Sequence, residues 1–208
     1  GNHSSPRCLS IGDLNGDGKP DIIMGNSFMK NTSVNGVLSF DAPVSYSNAE
    51  QAFRIEIGDL NNDGKPDLAA IYQSSNEIGL FLNTSTGTSI TFSQQGRYST
   101  GYFPNYLAIA DMNGDSFPDI SVGCWEFDAL SVFANTSSTA GPLTFLNKTN
   151  YATNRAPWHV AVGDLDGDGK PDMAATNRNA GNISILRFQI EPVSAIVPTI
   201  QSFTPAAG

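Results

Sequence analysis

Gly12-Asp13-Leu14-Asn15-Gly16-Asp17-Gly18-Lys19-Pro20-Asp21-Ile22 returns three times along the chain. The later copies are GDLNNDGKPDL at 58–68, ADMNGDSFPDI at 110–120 and GDLDGDGKPDM at 163–173. Their leading aspartates, Asp13, Asp59, Asp111 and Asp164, lie 46, 52 and 53 residues apart. Two other landmarks keep step with them. Phe40, Phe92 and Phe145 each precede a tyrosine (Tyr46, Tyr98, Tyr151) by six positions, and an Asn-Thr-Ser triplet opens at Asn31, Asn83 and Asn135. Repetition of this kind settles architecture before any local pattern does.

Each copy reads as four short strands. Apolar residues alternate just before the first aspartate, as Leu9 and Ile11, Ile55 and Ile57, Leu107 and Ile109, and Val160 and Val162. Period two is a strand pattern. A second strand follows the last aspartate, a third spans Ile78–Leu82 and its counterparts 130–134 and 183–188, and a fourth carries the Phe-x5-Tyr element. The first copy is shortened between Asp21 and Asn31, which clips its middle hairpin, and no helix signal appears. Four-stranded units of about 40–50 residues in series predict an all-β fold, a β-propeller of antiparallel blades.

The nonapeptide inside each copy is acidic at alternate positions. Oxygen side chains at positions one, three and five of a tight loop converge on one centre. A carbonyl at seven and a carboxylate at nine can complete the six to eight oxygens that Ca²⁺ takes at about 2.3–2.6 Å. The predicted ligands are Asp13, Asn15, Asp17, the Lys19 carbonyl and Asp21 in the first loop. Those of the second are Asp59, Asn61, Asp63, Lys65 and Asp67, and of the third Asp111, Asn113, Asp115, Phe117 and Asp119. The fourth offers Asp164, Asp166, Asp168, Lys170 and Asp172. An EF-hand would need Glu at position twelve, where Met24, Ala70, Val122 and Ala175 stand. Ser116 replaces the turn glycine (Gly18, Gly64, Gly169) in the third loop, which marks that site as the weakest of the four.

Composition agrees. The formal charge is −9, and thirteen of the twenty Asp and Glu residues sit in the four loops, so about four Ca²⁺ would nearly neutralise the chain. A surface of this sign repels phosphate backbones and argues against nucleic acid as a partner. No apolar run approaches the roughly 20 residues of a membrane-spanning helix, so membrane insertion is not expected. Cys8 and Cys124 occupy unlike positions in non-adjacent copies and read as separate thiols.

The loop spacing with its Lys-Pro-Asp ending resembles the FG-GAP/VCBS repeats of integrin α-subunits and many bacterial surface proteins, from about Pro6 to Phe188. The resemblance implies loops that join the first two strands of a blade and bind Ca²⁺. It also implies a propeller usually of seven blades, hence other blades of the same parent chain, and a secreted or cell-surface location. On this basis residues 1–190 are propeller repeats, with blades at about 6–47, 52–100, 104–153 and 157–190. Residues 191–208 are a linker and the start of a domain resembling an IPT/TIG immunoglobulin-like module.

Up-and-down strand order puts the acidic loops and the third-to-fourth-strand turns on one face of the disc, and the remaining connections on the other. That second face gathers Trp125, Phe127, Arg155, Trp158 and Arg178, the residue types enriched at binding surfaces. Trp158 and Phe53 could instead fill gaps between blades. The expected role is a calcium-binding adhesion or recognition module, not an enzyme, whose partner is an extracellular protein or glycan. The alternative is the propeller part of a polysaccharide-active enzyme such as a lyase, but no acid–base cluster that breaks the repeat stands out. Of the Asn-x-Ser/Thr sequons at Asn2, Asn31, Asn83, Asn135, Asn147 and Asn182, the three in register read first as turn-closing residues. His159 shares its repeat position with Cys8, Arg54 and Tyr106 and reads as a sheet residue.

Overall fold

A computed structural model describes residues 7–46 and 51–187. Among the described residues, fifteen strands form four antiparallel sheets in meander order. The first sheet is β1 (Leu9–Gly12), β2 (Asp21–Met24), β3 (Ser27–Met29) and β4 (Val44–Ser45). The second is β5 (Arg54–Gly58), β6 (Asp67–Tyr72), β7 (Glu77–Asn83) and β8 (Phe92–Ser99). The third is β9 (Pro104–Ala110), β10 (Asp119–Cys124), β11 (Ala129–Phe133) and β12 (Thr149–Ala152). The fourth, among the described residues, is β13 (Pro157–Gly163), β14 (Asp172–Asn177) and β15 (Asn182–Arg187). First strands pack on one another in series, β1 on β5, β5 on β9 and β9 on β13, as the inner strands of propeller blades do. The IPT/TIG-like segment at 191–208 lies outside the described residues.

The core is not inside any sheet but between sheets. Successive side chains of a strand point to opposite faces. In β6, Leu68, Ala70 and Tyr72 therefore join a cluster with Leu14, Ile23 and Phe28 of the first blade. Ala69 and Ile71 turn the other way, to Leu107, Ile120 and Val122 of the third. Every residue of β6 and β10 is buried in consequence. A third layer joins Met112, Leu130, Val132 and Tyr151 to Val160, Met173 and Leu186. Each fully buried Leu, Ile or Phe contributes about 1.5–3 kcal/mol, so the blades stabilise one another.

The Phe-x5-Tyr landmark is an inter-blade staple. Tyr46 sits edge-on to Phe81 and Phe92 of the next blade, with centroids 5.1 and 5.7 Å away. Tyr98 repeats this with Phe133 and Phe145 at 6.0 and 6.2 Å, and its hydroxyl accepts from the Phe145 N–H. Only β8 contains both landmark residues within one strand. Phe40 and Phe145 make isolated bridges to Asn31 and Asn135 instead.

Two details depart from expectation. Trp125–Phe127 form a single 3₁₀ turn between β10 and β11. The Trp125 and Glu126 N–H groups are taken by the Phe103 and Tyr102 carbonyls, and Asp128, at φ 48°, closes the turn. Trp158 does not plug a gap: it is 38% exposed, whereas Phe53 packs against the core between the second and third blades. The cysteines are unpaired as expected, with Cys124 buried and Cys8 half-buried.

Candidate metal centres

All four nonapeptides take one geometry. The position-one carboxylate folds the loop around itself. Asp13 accepts from the N–H groups of Gly16 and Gly18 at 2.8 Å each, and Asp164 from Gly167 and Gly169 at 2.7 and 2.9 Å. Asp59 takes the Gly64 N–H and Asp111 the Ser116 N–H, both at 2.8 Å. Position five accepts from position seven: Lys19 to Asp17, Lys65 to Asp63, Phe117 to Asp115 and Lys170 to Asp168, at 2.8–3.0 Å. Position six needs a positive φ, which Gly18, Gly64 and Gly169 adopt freely at 81–82°. Ser116 is forced to 74°, at a cost of about 1–2 kcal/mol for a residue with a Cβ.

Position nine is buried in every blade and ties the loop to the sheet. Asp67 Oδ2 accepts from Leu60 N–H at 3.0 Å and Oδ1 from Asn83 N–H at 2.8 Å. Asp21 does the same with Leu14 and Asn31, and Asp119 with Met112 and Asn135. Asp172 accepts from Leu165 N–H at 3.1 Å. Burial pushes the Asp67 and Asp119 carboxyls up to about 6, against the pull of their backbone donors, and Asp21 shifts the same way. A carboxylate has about four lone-pair directions. Two N–H donors therefore leave two for a cation, which would also hold the buried group ionised.

The triplet asparagines carry this linkage into the neighbouring blade. Asn83 Nδ2 donates to Pro66 O and to Leu14 O of the preceding blade, both at 2.9 Å. Asn135 does so to Pro118 O and Leu60 O at 2.8 Å. Their side-chain oxygens accept from Ser85 and Ser137 N–H, which closes the turn after the third strand. With Asn31, Asn83 and Asn135 buried, these three sequons serve the turn rather than offering a glycan site.

Two observations test whether a cation suits the loops. Asn61, at position three of the second loop, is fully buried; its amide donates to Gly141 O at 2.8 Å, which aims Oδ1 away from that partner, and Oδ1 has no donor. An orphaned buried acceptor costs about 1–3 kcal/mol unless something positive meets it. In the fourth loop, carboxylate oxygens of Asp164, Asp166 and Asp172 lie within 4.8 Å of one another. The donor set is hard oxygen, in keeping with Ca²⁺. The residues fit the ion.

The opposite rim is built differently. Connections between second and third strands are knitted to the crossings between blades: Asn76 Oδ1 takes Phe103 N–H, Asp128 Oδ1 takes Ala156 N–H, and Ala156 O takes Arg178 N–H. Here Trp125 meets Trp158 edge-on at 5.5 Å and Phe103 at 6.3 Å. The Arg178 guanidinium lies 4.7 Å from the Trp158 ring centre and 5.6 Å from that of Trp125. Phe127, in the same 3₁₀ turn as Trp125, has its ring centre 5.8 Å from Lys148 Nζ. Arg155 is exposed, and no contact with the group is seen among the described residues.

One cluster escaped the sequence. Arg54, Tyr106 and His159 stack in series on the inner strands, with Arg54 and His159 each 3.6 Å from the Tyr106 ring centre and Glu56 bonded to Arg54 at 2.8 Å. Glu56, Tyr106 and His159 border a cavity of about 290 Å³ lined also by Ala108 and Ala161. Burial and the Arg54 charge lower the His159 pKa. The available signal was the shared repeat position, because equal positions on inner strands line one axis.

An all-β chain of repeated blades, each with an acidic loop between its first two strands, is thus the class of protein defined here. The FG-GAP-like repeat model matches residues 13–70 and 59–122, and the FG-GAP repeat model matches 156–186. The chain belongs to the FG-GAP-like repeat family, whose members are typically extracellular and often bind Ca²⁺. Its fold is similar to the crystal structure of a functionally unknown protein from Desulfotomaculum acetoxidans DSM 771. The TM-score is 0.59 at 16% identity, over 98% of this chain and 57% of that one. No curated protein sequence matches. Among the described residues, no helix is long and apolar enough to cross a membrane.

Proposed function

We propose that the chain is a calcium-binding extracellular recognition module, with Ca²⁺ in the four acidic loops and a protein or glycan partner on the opposite rim. The carrying observation is the segregation of chemistry between rims. Repeated carboxylates occupy one, and the non-repeating Trp125, Trp158 and Arg178 group occupies the other. Aromatic and Arg side chains at a buried contact supply about 2 kcal/mol or more each. Calcium at about ten times a Kd of ~10⁻⁴–10⁻³ M would add roughly 1.4 kcal/mol per loop.

Further blades of the same parent chain are part of the proposal, seven in all by the family pattern. Leu9 of β1 is 59% exposed, although the matching Ile55, Leu107 and Val160 are buried against a preceding blade. The test is a screen of glycans and extracellular-matrix proteins, repeated with Arg178→Ala and Asp63→Ala. Arg178→Ala should lose binding with its melting temperature unchanged. Retained binding in that variant, with loss in a folded Asp63→Ala protein, would mean that calcium bridges the partner directly.

A role in a polysaccharide-active enzyme draws support from one place, the cavity bordered by Glu56, Tyr106 and His159. Turnover of an acidic polysaccharide that is abolished by His159→Ala would replace the binding role with this one.

A further inference from the structure

Given the calcium reading of the loops, we propose that Arg187 is a tethered competitor in the fourth blade, so that Ca²⁺ enters that loop only by displacing a guanidinium. Across β14 and β15, Arg187 stands opposite the position-nine residue Asp172. Its Nη2 lies 2.6 Å from Asp166 Oδ2 and 2.9 Å from Asp168 Oδ2, at positions three and five of the loop. Asp166 belongs to the group of three carboxylates whose oxygens lie within 4.8 Å. The guanidinium therefore occupies the mouth of the cluster where a cation would sit. It is under-bonded there, since Nε is buried without an acceptor among the described residues. An arginine held by the loop rather than locked by its own strand can swing aside.

The other blades supply the controls. The same place, one residue before the triplet asparagine, is Lys30 in the first blade, Leu82 in the second and Ala134 in the third. Lys30 Nζ stands 3.6 Å from Asp17 Oδ2 and donates to Thr88 O of the next blade at 3.0 Å, so it flanks its loop without filling it. Leu82 and Ala134 carry no charge, and in the second blade Asn61 Oδ1 is left waiting for a donor. By carboxylate count the fourth loop, with Asp166 where the others have Asn, has the strongest field. Arg187 offsets that extra charge and gives the loop a counter-ion when calcium is scarce.

The loops can be read one at a time in the intact chain, because the Gly18, Gly64 and Gly169 N–H groups donate to Asp13, Asp59 and Asp164. Their amide NMR shifts would be followed while calcium chloride is added to the unaltered protein, to Arg187→Leu and to Arg187→Lys. Removal of a partly exposed ion pair should lower the Gly169 midpoint about two- to fivefold in Arg187→Leu. The Gly64 midpoint should stay in place. Arg187→Lys, which keeps the charge but not the two-oxygen grip, should move Gly169 by less, and it covers the case in which the leucine variant fails to fold. A Gly64 midpoint that titrates normally while Gly169 is unmoved or rises in both variants overturns the competitor role and leaves the calcium reading intact. Silence of all three glycines overturns both.

Discussion

The two rims of the blades are made by the same chain reversals, but they solve different problems. On the loop rim, Asp21, Asp67 and Asp119 each hold the same two backbone N–H groups, and departures such as Ser116 are accommodated within one backbone path. On the other rim, Gly25-Asn26 closes the middle hairpin of the first blade, while a 3₁₀ turn bearing Trp125 closes that of the third. The loop rim repeats because every blade needs the same closure and the same charge balance. The opposite rim is free to vary, since its turns need only satisfy their own backbone groups. In a repeat protein, copied residues maintain the fold, and residues that break the copy are where recognition can arise.

That contrast can be broken most forcefully at Asp67. Replacement by Ala strands the Leu60 and Asn83 N–H groups in a buried site, at about 1–3 kcal/mol each. For a chain of this size the melting temperature should fall by roughly 5–20 °C, even in chelator. An unchanged melt in chelator would mean that position nine matters only to the metal. Next in size is Tyr98→Ala, which withdraws the staple from Phe133 and Phe145. It should cost about 2–4 kcal/mol, with Tyr98→Phe losing only the share of one hydrogen bond, about 0.5–1.5. Equal melts for the two variants would show that the ring is not what joins the blades.

Smaller effects sharpen the comparison. Ser116→Gly relieves a positive φ and should raise stability by about 0.5–1 kcal/mol after the entropy cost of glycine, visible as a shift of a few degrees. A loss of stability would mean that the serine is held by interactions that offset the strain. Arg178→Ala should be the mildest, below about 1 kcal/mol, because an exposed cation over a ring contributes little to folding. A larger loss would make the aromatic group part of the scaffold.

The legible part of the molecule follows the same division. The loops, the strands on either side of them and the meander order could be read from the repeated aspartates and the alternating apolar residues beside them, since local backbone geometry demands those residues. The Phe-x5-Tyr landmark was visible as a repeat, but its partners were not: Tyr46 meets Phe81 and Tyr98 meets Phe145, contacts closed only by stacking of blades. The Arg54–Tyr106–His159 stack was hidden for another reason. Its members share a repeat position but not a chemistry, so each looked like an unremarkable sheet residue. The grip of Arg187 on Asp166 and Asp168 was likewise out of reach, because a cation beside an acidic loop shows only once strand register is known.

Separable rims require that calcium act on one and not on the other. The most direct measurement is the gain in melting temperature between chelator and saturating calcium chloride, compared for the unaltered chain, Asp63→Ala and Arg178→Ala. Four loops at about 1.4 kcal/mol each predict a gain of roughly 10–20 °C in the unaltered chain. About a quarter of it should vanish in Asp63→Ala, and all of it should remain in Arg178→Ala. A melt indifferent to calcium in the unaltered chain, or a gain that disappears with Arg178 and survives the loss of Asp63, would contradict the account.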